Sequence, residues 1–280
     1  MPAGGGSSKA ERGLRADRAP PPVGHVVAVP RAAADNRTML STMLLAAAAA
    51  PQEPAASPSR SLDEMDRAIL SWIDEGFVPG AVLLHERIGE EAPDARAFGR
   101  VGRFSGAPDM EARTVFDLAS LTKVVATATS VMVLVDQGRV ELDEPVGTYL
   151  PEFGRNGKES ITVEELLLHR GGLIPDNALA DYEDGPEEAW RRICALPTRE
   201  EPGSAFTYTD VGFIALGELV ERVDGRPLDR FAAEEIFVPL GMADTCFNPP
   251  ASLRARCAPT ERRGGAWMRG EVHDPRSEEH

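Results

Sequence analysis

Apolar side chains recur with helical spacing along most of this chain and run together in a few short stretches. From residue 62, Leu62, Met65, Ile69, Leu70 and Ile73 fall on one face of a helix that Ser61 is placed to cap. Pro79-Gly80 breaks that pattern, and the run AVLLHER that follows reads as a buried strand. A second strand is predicted over residues 95–101 (ARAFGRV), after an acidic, proline-containing turn. The segment TVFDLA then leads into a long helix over residues 120–137, which Gly138 stops. Further helical patterns cover residues 163–169, 187–195, 212–223 and 228–237, separated by Gly, Pro and Asp clusters. Strands come first and helices dominate the middle. The order predicts an α/β (α+β) fold, a sheet with an inserted or adjacent helical subdomain.

The N-terminal part follows different rules. Residues 1–38 are rich in Gly, Pro, Ala and Arg, show no apolar periodicity and are predicted to be disordered. Residues 39–50 (MLSTMLLAAAAA) form an apolar run too short to span a bilayer but matching the core of a secretory signal. That predicts a periplasmic or secreted protein, or a cytoplasmic one if the run is simply helix. Residues 51–60 are a proline-punctuated linker, so the folded domain is placed at 61–280.

Composition narrows the chemistry. With 45 Asp and Glu against 30 Lys and Arg, the net charge is −15, which argues against nucleic acid or an anionic membrane surface as partner. The three cysteines, Cys194, Cys246 and Cys257, lack zinc-like spacing and a neighbouring His, and are read as core packing. Neither a metal site nor a cofactor is expected, since the five His show no ligand spacing and no P-loop or dinucleotide motif occurs. G-x-S-x-G is also absent.

One tetrapeptide carries a reactive arrangement. Ser120-Leu121-Thr122-Lys123 places a hydroxyl and an amine three residues apart, on one face of a helix. Ser120 stands at the helix start, where the positive end of the macrodipole disfavours an ammonium and favours a developing alkoxide. Lys123 is one of only three lysines, and the helix after it (VVATATSVMVLV) is almost wholly apolar. A lysine on the first turn of a buried helix fits a base that loses its proton readily. The bland alternative is a capping Ser beside a snorkelling Lys.

Read with their flanks, FDLASLTK, LVDQGRVELDEPVGTYLPEF, ITVEELLLHRGGL and PGSAFTYTDVGFIALGELVE resemble the β-lactamase-like serine hydrolases. This family includes class C β-lactamases, D-alanyl-D-alanine carboxypeptidases and related esterases. The resemblance implies a β-lactamase/transpeptidase-like fold, with an antiparallel sheet flanked by helices. It also implies Ser120 as nucleophile, Lys123 as its partner and Tyr208 as the phenol of the family's Y-x-N motif, here Tyr208-Thr209-Asp210. Tyr182-Glu183-Asp184 offers the same short pattern with poorer flanks. Asp210 replaces the usual Asn; a carboxylate there would hold Lys123 protonated. His169 matches the family's H-x-S-G-L segment and is read as a hydrogen-bonded structural histidine. Asp210 and His273, the latter in GEVHD, are expected to line the substrate cleft.

The family's third motif, K-T-G or its H-T-G and H-A-G variants, is absent, and the sequence ends PRSEEH. The resemblance therefore implies a domain without its C-terminal strands, exposing residues 81–84 and the helix from Ser120. One oxyanion donor would be missing, at a typical cost of about 10²–10³ in rate. Two functions follow: a hydrolase forming an acyl-enzyme at Ser120 on a β-lactam, a D-Ala-D-Ala peptide or a small ester, or a non-catalytic binding module of the same fold.

Overall fold

The computed structural model describes residues 27–28, 58–85 and 94–272. The signal-like run 39–50 and His273 lie outside them. Within residues 1–38 the described pair forms strand β1 (Val27–Ala28), antiparallel to β4 (Phe116–Asp117). Those two residues fall within the stretch expected to be disordered, where valines, which favour extended backbone, interrupt the Gly/Pro/Ala composition.

Helix α1 spans Pro58–Asp74 and so begins three residues before the expected Ser61 cap. A proline suits a first helical turn, where its missing N–H would have no partner anyway. Strands β2 (Gly80–His85) and β3 (Asp94–Gly99) pair antiparallel in a continuous register from Gly80↔Gly99 to His85↔Asp94. The Arg96 guanidinium reaches Asp66 and ties the hairpin to α1. A small hairpin of β5 (Arg262–Arg263) and β6 (Ala266–Trp267) follows late in the chain.

The predicted helix after Ser120 is present, with an unexpected winding. Residues Lys123–Ala128 form a widened, π-type coil, and α2 (Thr129–Asp136) continues it to Gly138, whose φ is +67°. The Thr129 hydroxyl donates to the Val124 carbonyl five residues back, at 2.8 Å. Beyond it come α3 (Val163–Leu167), α4 (Pro186–Ala195), α5 (Asp210–Asp224), α6 (Leu228–Ala232) and α7 (Ala251–Arg254). Thr162 and Glu165 close a reciprocal capping box on α3. Gly225, in the left-handed region, ends α5.

The core lies among α2, α3, α4 and α5, with Leu134, Phe153, Leu166, Ile193 and Leu216 essentially inaccessible. Each such side chain contributes roughly 1.5–3 kcal/mol by leaving water. Phe153 stacks on Trp190 with ring centres 5.9 Å apart. Lys158 is wholly buried beside them; its ammonium donates to the carbonyls of Cys194, at 3.1 Å, and Leu196, at the end of α4. Cys194 and Cys257 are buried and Cys246 half-buried, all as free thiols.

The faces expected to be uncovered are so in part. Leu84, Leu121, Val124 and Met132 are exposed, whereas residues 81–83 are half-buried because α1 packs across the hairpin. The helix after Ser120 is thus apolar on all sides but buried on one. Among the described residues no helix is long and apolar enough to cross a membrane.

Candidate active site

A sharp turn delivers the hydroxyl. β4 ends at Asp117, whose carboxylate accepts from the Ala119 N–H at 2.8 Å. Ala119 then takes φ +44°, a conformation that side chains with a Cβ adopt at a cost of about 1–3 kcal/mol. Successive N–H groups of Leu121, Thr122 and Lys123 bond back to the carbonyls of Leu118, Ala119 and Ser120, which turns the chain into the helix and leaves Ser120 exposed at its mouth.

One turn on, the Lys123 ammonium donates to the Ser120 hydroxyl at 3.2 Å and lies 2.6 Å from an Asp210 carboxylate oxygen. It also sits 5.2 Å from the centre of the Tyr208 ring and 6.0 Å from that of Phe213. Burial pulls the Lys123 pKa down; hydrogen bonds and charge from Asp210 and the Tyr208 hydroxyl outweigh it and leave the amine above its ordinary range. In the resting site Lys123 is therefore an ammonium.

Backbone bonds fix the Tyr208 segment. The Thr207 N–H donates to the His169 carbonyl at 2.9 Å, and the Thr209 N–H to His169 Nδ1 at 3.1 Å. The Thr209 hydroxyl donates to the Ile174 carbonyl at 2.6 Å while capping α5, and the Asp210 N–H donates to Pro175. His169 closes α3 with φ +56°, and its ring packs 4.5 Å from Tyr208 and 4.8 Å from Phe213, with Phe206 edge-on at 5.8 Å. The turn continues through Gly172, at φ +68°, where a Cβ would come within 2.3 Å of the Glu200 carbonyl. Only glycine fits.

The structure thus brings together Ser120, Lys123, Tyr208 and Asp210. The rival Tyr182 is buried elsewhere, its hydroxyl donating to Asn177 at 2.6 Å. His169 makes the hydrogen bond expected of it, but to the backbone next to Tyr208 and so within the site. Two residues of the site were not singled out from the sequence: Phe213, beside the amine, and the strained Ala119, before Ser120. Phe213 follows Asp210 by three residues on the same helix face, a spacing that could have flagged it. Among the described residues no cluster of metal-ligating side chains occurs.

An antiparallel hairpin against helices, with a Ser-x-x-Lys pair at the mouth of a central helix, defines the class of β-lactamase/transpeptidase-like folds. A family model described as Beta-lactamase matches residues 18–280, and the chain belongs to that family. It is 31% identical over 259 residues to a Bacillus subtilis N-acetylmuramyl-L-alanine amidase, covering 80% of this chain and 58% of the relative. Over 245 residues it is 33% identical to an Escherichia coli protein provisionally assigned as a D-alanyl-D-alanine carboxypeptidase, covering 76% of this chain and 56% of that one. Among solved structures, a penicillin-binding protein homologue from Caulobacter crescentus superposes with a TM-score of 0.61 at 29% identity, covering 75% of this chain and 56% of that one. A family VIII carboxylesterase does so with 0.61 at 27%, covering 75% and 57%. The chain spans a little over half the length of the curated relatives it matches.

Proposed function

We propose that this chain is a serine hydrolase that forms an acyl-enzyme at Ser120, with Lys123 and Tyr208 moving the proton. The observation that carries the proposal is the 3.2 Å contact between the Ser120 hydroxyl and the Lys123 amine, beneath the Tyr208 ring. Once the amine has lost its resting proton, it takes the Ser120 proton as the oxygen attacks a substrate carbonyl. The new C–O bond leaves an oxyanion, for which the Ser120 N–H is the backbone donor we assign. Collapse expels the leaving group, which takes the proton from Lys123 through the Tyr208 hydroxyl. Water then repeats the sequence on the acyl-enzyme and frees Ser120.

Among a β-lactam, a D-Ala-D-Ala peptide and a small ester, the charges favour the ester. Asp210 neutralises Lys123 at 2.6 Å, and the chain carries a net charge of −15, so a substrate carboxylate gains little attraction here. Exposed Leu121 and Val124, 59% and 64% accessible on either side of Lys123, suit an apolar acyl or aryl group. Export through residues 39–50 fits such a role and rests on sequence pattern alone.

A fluorophosphonate probe and a fluorescent penicillin test the reading. Labelling of the wild type that vanishes in Ser120→Ala, with turnover of 4-nitrophenyl butyrate exceeding that of nitrocefin, is the expected result. A wild type that neither probe labels would instead identify a binding module of the same fold.

A further inference from the structure

His169 has more to do than end a helix. Its imidazole sits at the centre of an aromatic cage of Phe206, Tyr208 and Phe213, the last two of which also flank the Lys123 ammonium. Two of the bonds that fix the Tyr208 segment end on this one residue: its carbonyl accepts from the Thr207 N–H and its Nδ1 from the Thr209 N–H. They grip the chain on both sides of Tyr208. A nitrogen that accepts from an amide must be unprotonated, so the neutral ring carries its hydrogen on Nε2.

We propose that His169 is a positioning residue: its unprotonated Nδ1 holds the Thr209 amide so that the Tyr208 hydroxyl stays beside Lys123. This rests on the hydrolase reading above and adds a residue to it. The left-handed backbone at position 169 points the ring back across the Tyr208 segment rather than along α3. The groups that set its charge are Lys123 on the helix after Ser120 and Asp210 at the start of α5, with Tyr208 stacked on it; the neighbouring Arg170 bonds the Gly203 carbonyl instead. Burial and the Lys123 charge lower the His169 pKa, and Asp210 opposes them only in part. Both influences favour the neutral ring that the Thr209 bond requires. Acid converts Nδ1 from acceptor to donor and sets two N–H groups against each other.

The test uses the full chain and two substitutions that a filler role would not separate. Asn places a side-chain oxygen near the position of Nδ1 and tolerates positive φ, whereas Gln carries its polar atoms out to the position of Nε2. Expected kcat for a 4-nitrophenyl ester at pH 8 is within about threefold of wild type for His169→Asn and about 10–100-fold lower for His169→Gln, with KM changed less than kcat. Below pH 6 the wild type should lose rate more steeply than His169→Asn. Nitrogen chemical shifts of ¹⁵N-histidine-labelled wild type, assigned against His169→Asn, should show the Nε2–H tautomer titrating below the ordinary histidine range. Equal activity of both variants with wild type, equal loss in both, or an Nδ1–H tautomer would each overturn the proposal. If the wild type neither turns over nor labels, the hydrolase reading falls, and the tautomer still decides the His169–Thr209 bond.

Discussion

Asparagine and aspartate differ by an amide in place of one carboxylate oxygen, and at position 210 that exchange sets the charge of the whole constellation. The Asp210 carboxylate lies 2.6 Å from the Lys123 ammonium and, with Tyr208, raises its pKa despite burial. A raised folded pKa means that Lys123 gives up its proton only toward higher pH, so the rising limb of the pH–rate profile sits high. Asp210→Asn removes the ion pair and should move that limb down by about one pH unit or more, the size of a close charge effect. Profiles of kcat/KM from pH 5 to 10 check this, and an unmoved limb would show that another group titrates. Ser120 and Lys123 were legible in the sequence from the fixed S-x-x-K spacing; Tyr208 and Asp210 were legible only through the PGSAF lead and the apolar helix that set them apart from Tyr182-Glu183-Asp184. Ala119 was not, since a positive φ leaves no mark in an alanine; nor was the reach of His169 to Thr209, which joins residues forty positions apart.

At the scale of elements, buried Lys158 and half-buried Glu221 hold helix ends and give opposite signs of stability. Lys158 closes the end of α4 through two carbonyls, where a cation also suits the macrodipole. Lys158→Ala leaves those carbonyls unsatisfied and opens a cavity, and should cost about 2–4 kcal/mol by urea unfolding. Glu221, on the last turns of α5, accepts from the Leu228 N–H at 2.8 Å; burial still pushes its pKa up to about 7. The folded state therefore keeps a proton that the unfolded chain has released, and stability falls as pH rises from about 4.5 to about 7. Glu221→Gln keeps the acceptor without the charge. It should stabilise by about 1–2 kcal/mol at pH 8 and by little at pH 4, after allowing for solvent screening. Thermal melts at the two pH values distinguish this from a gain independent of pH. The helices were readable from 3.6-residue periodicity and their Gly and Pro stops. The π-type coil over residues 123–128 was not, because apolar residues on every side give periodicity no phase to report.

At the scale of the molecule, a well-packed helical core stands beside a two-stranded antiparallel hairpin that packs on α1 and whose apolar residue Leu84 is exposed, as are Leu121, Val124 and Met132 on the helix after Ser120. The sequence reading anticipated these uncovered positions but overstated them along residues 81–83, since α1 lies across the hairpin. The site stands within the helical part: β4 and the turn at Ala119 bring in Ser120, the helix after it packs on α5, and the start of α5 supplies Asp210 just after Tyr208. Mass spectrometry of the acyl-enzyme tests this account most directly. The protein is quenched in acid during turnover of a 4-nitrophenyl ester and digested. An acyl group on the peptide containing Ser120, absent from Ser120→Ala, is the predicted result; an acyl group on any other residue, or undiminished turnover by Ser120→Ala, would contradict it.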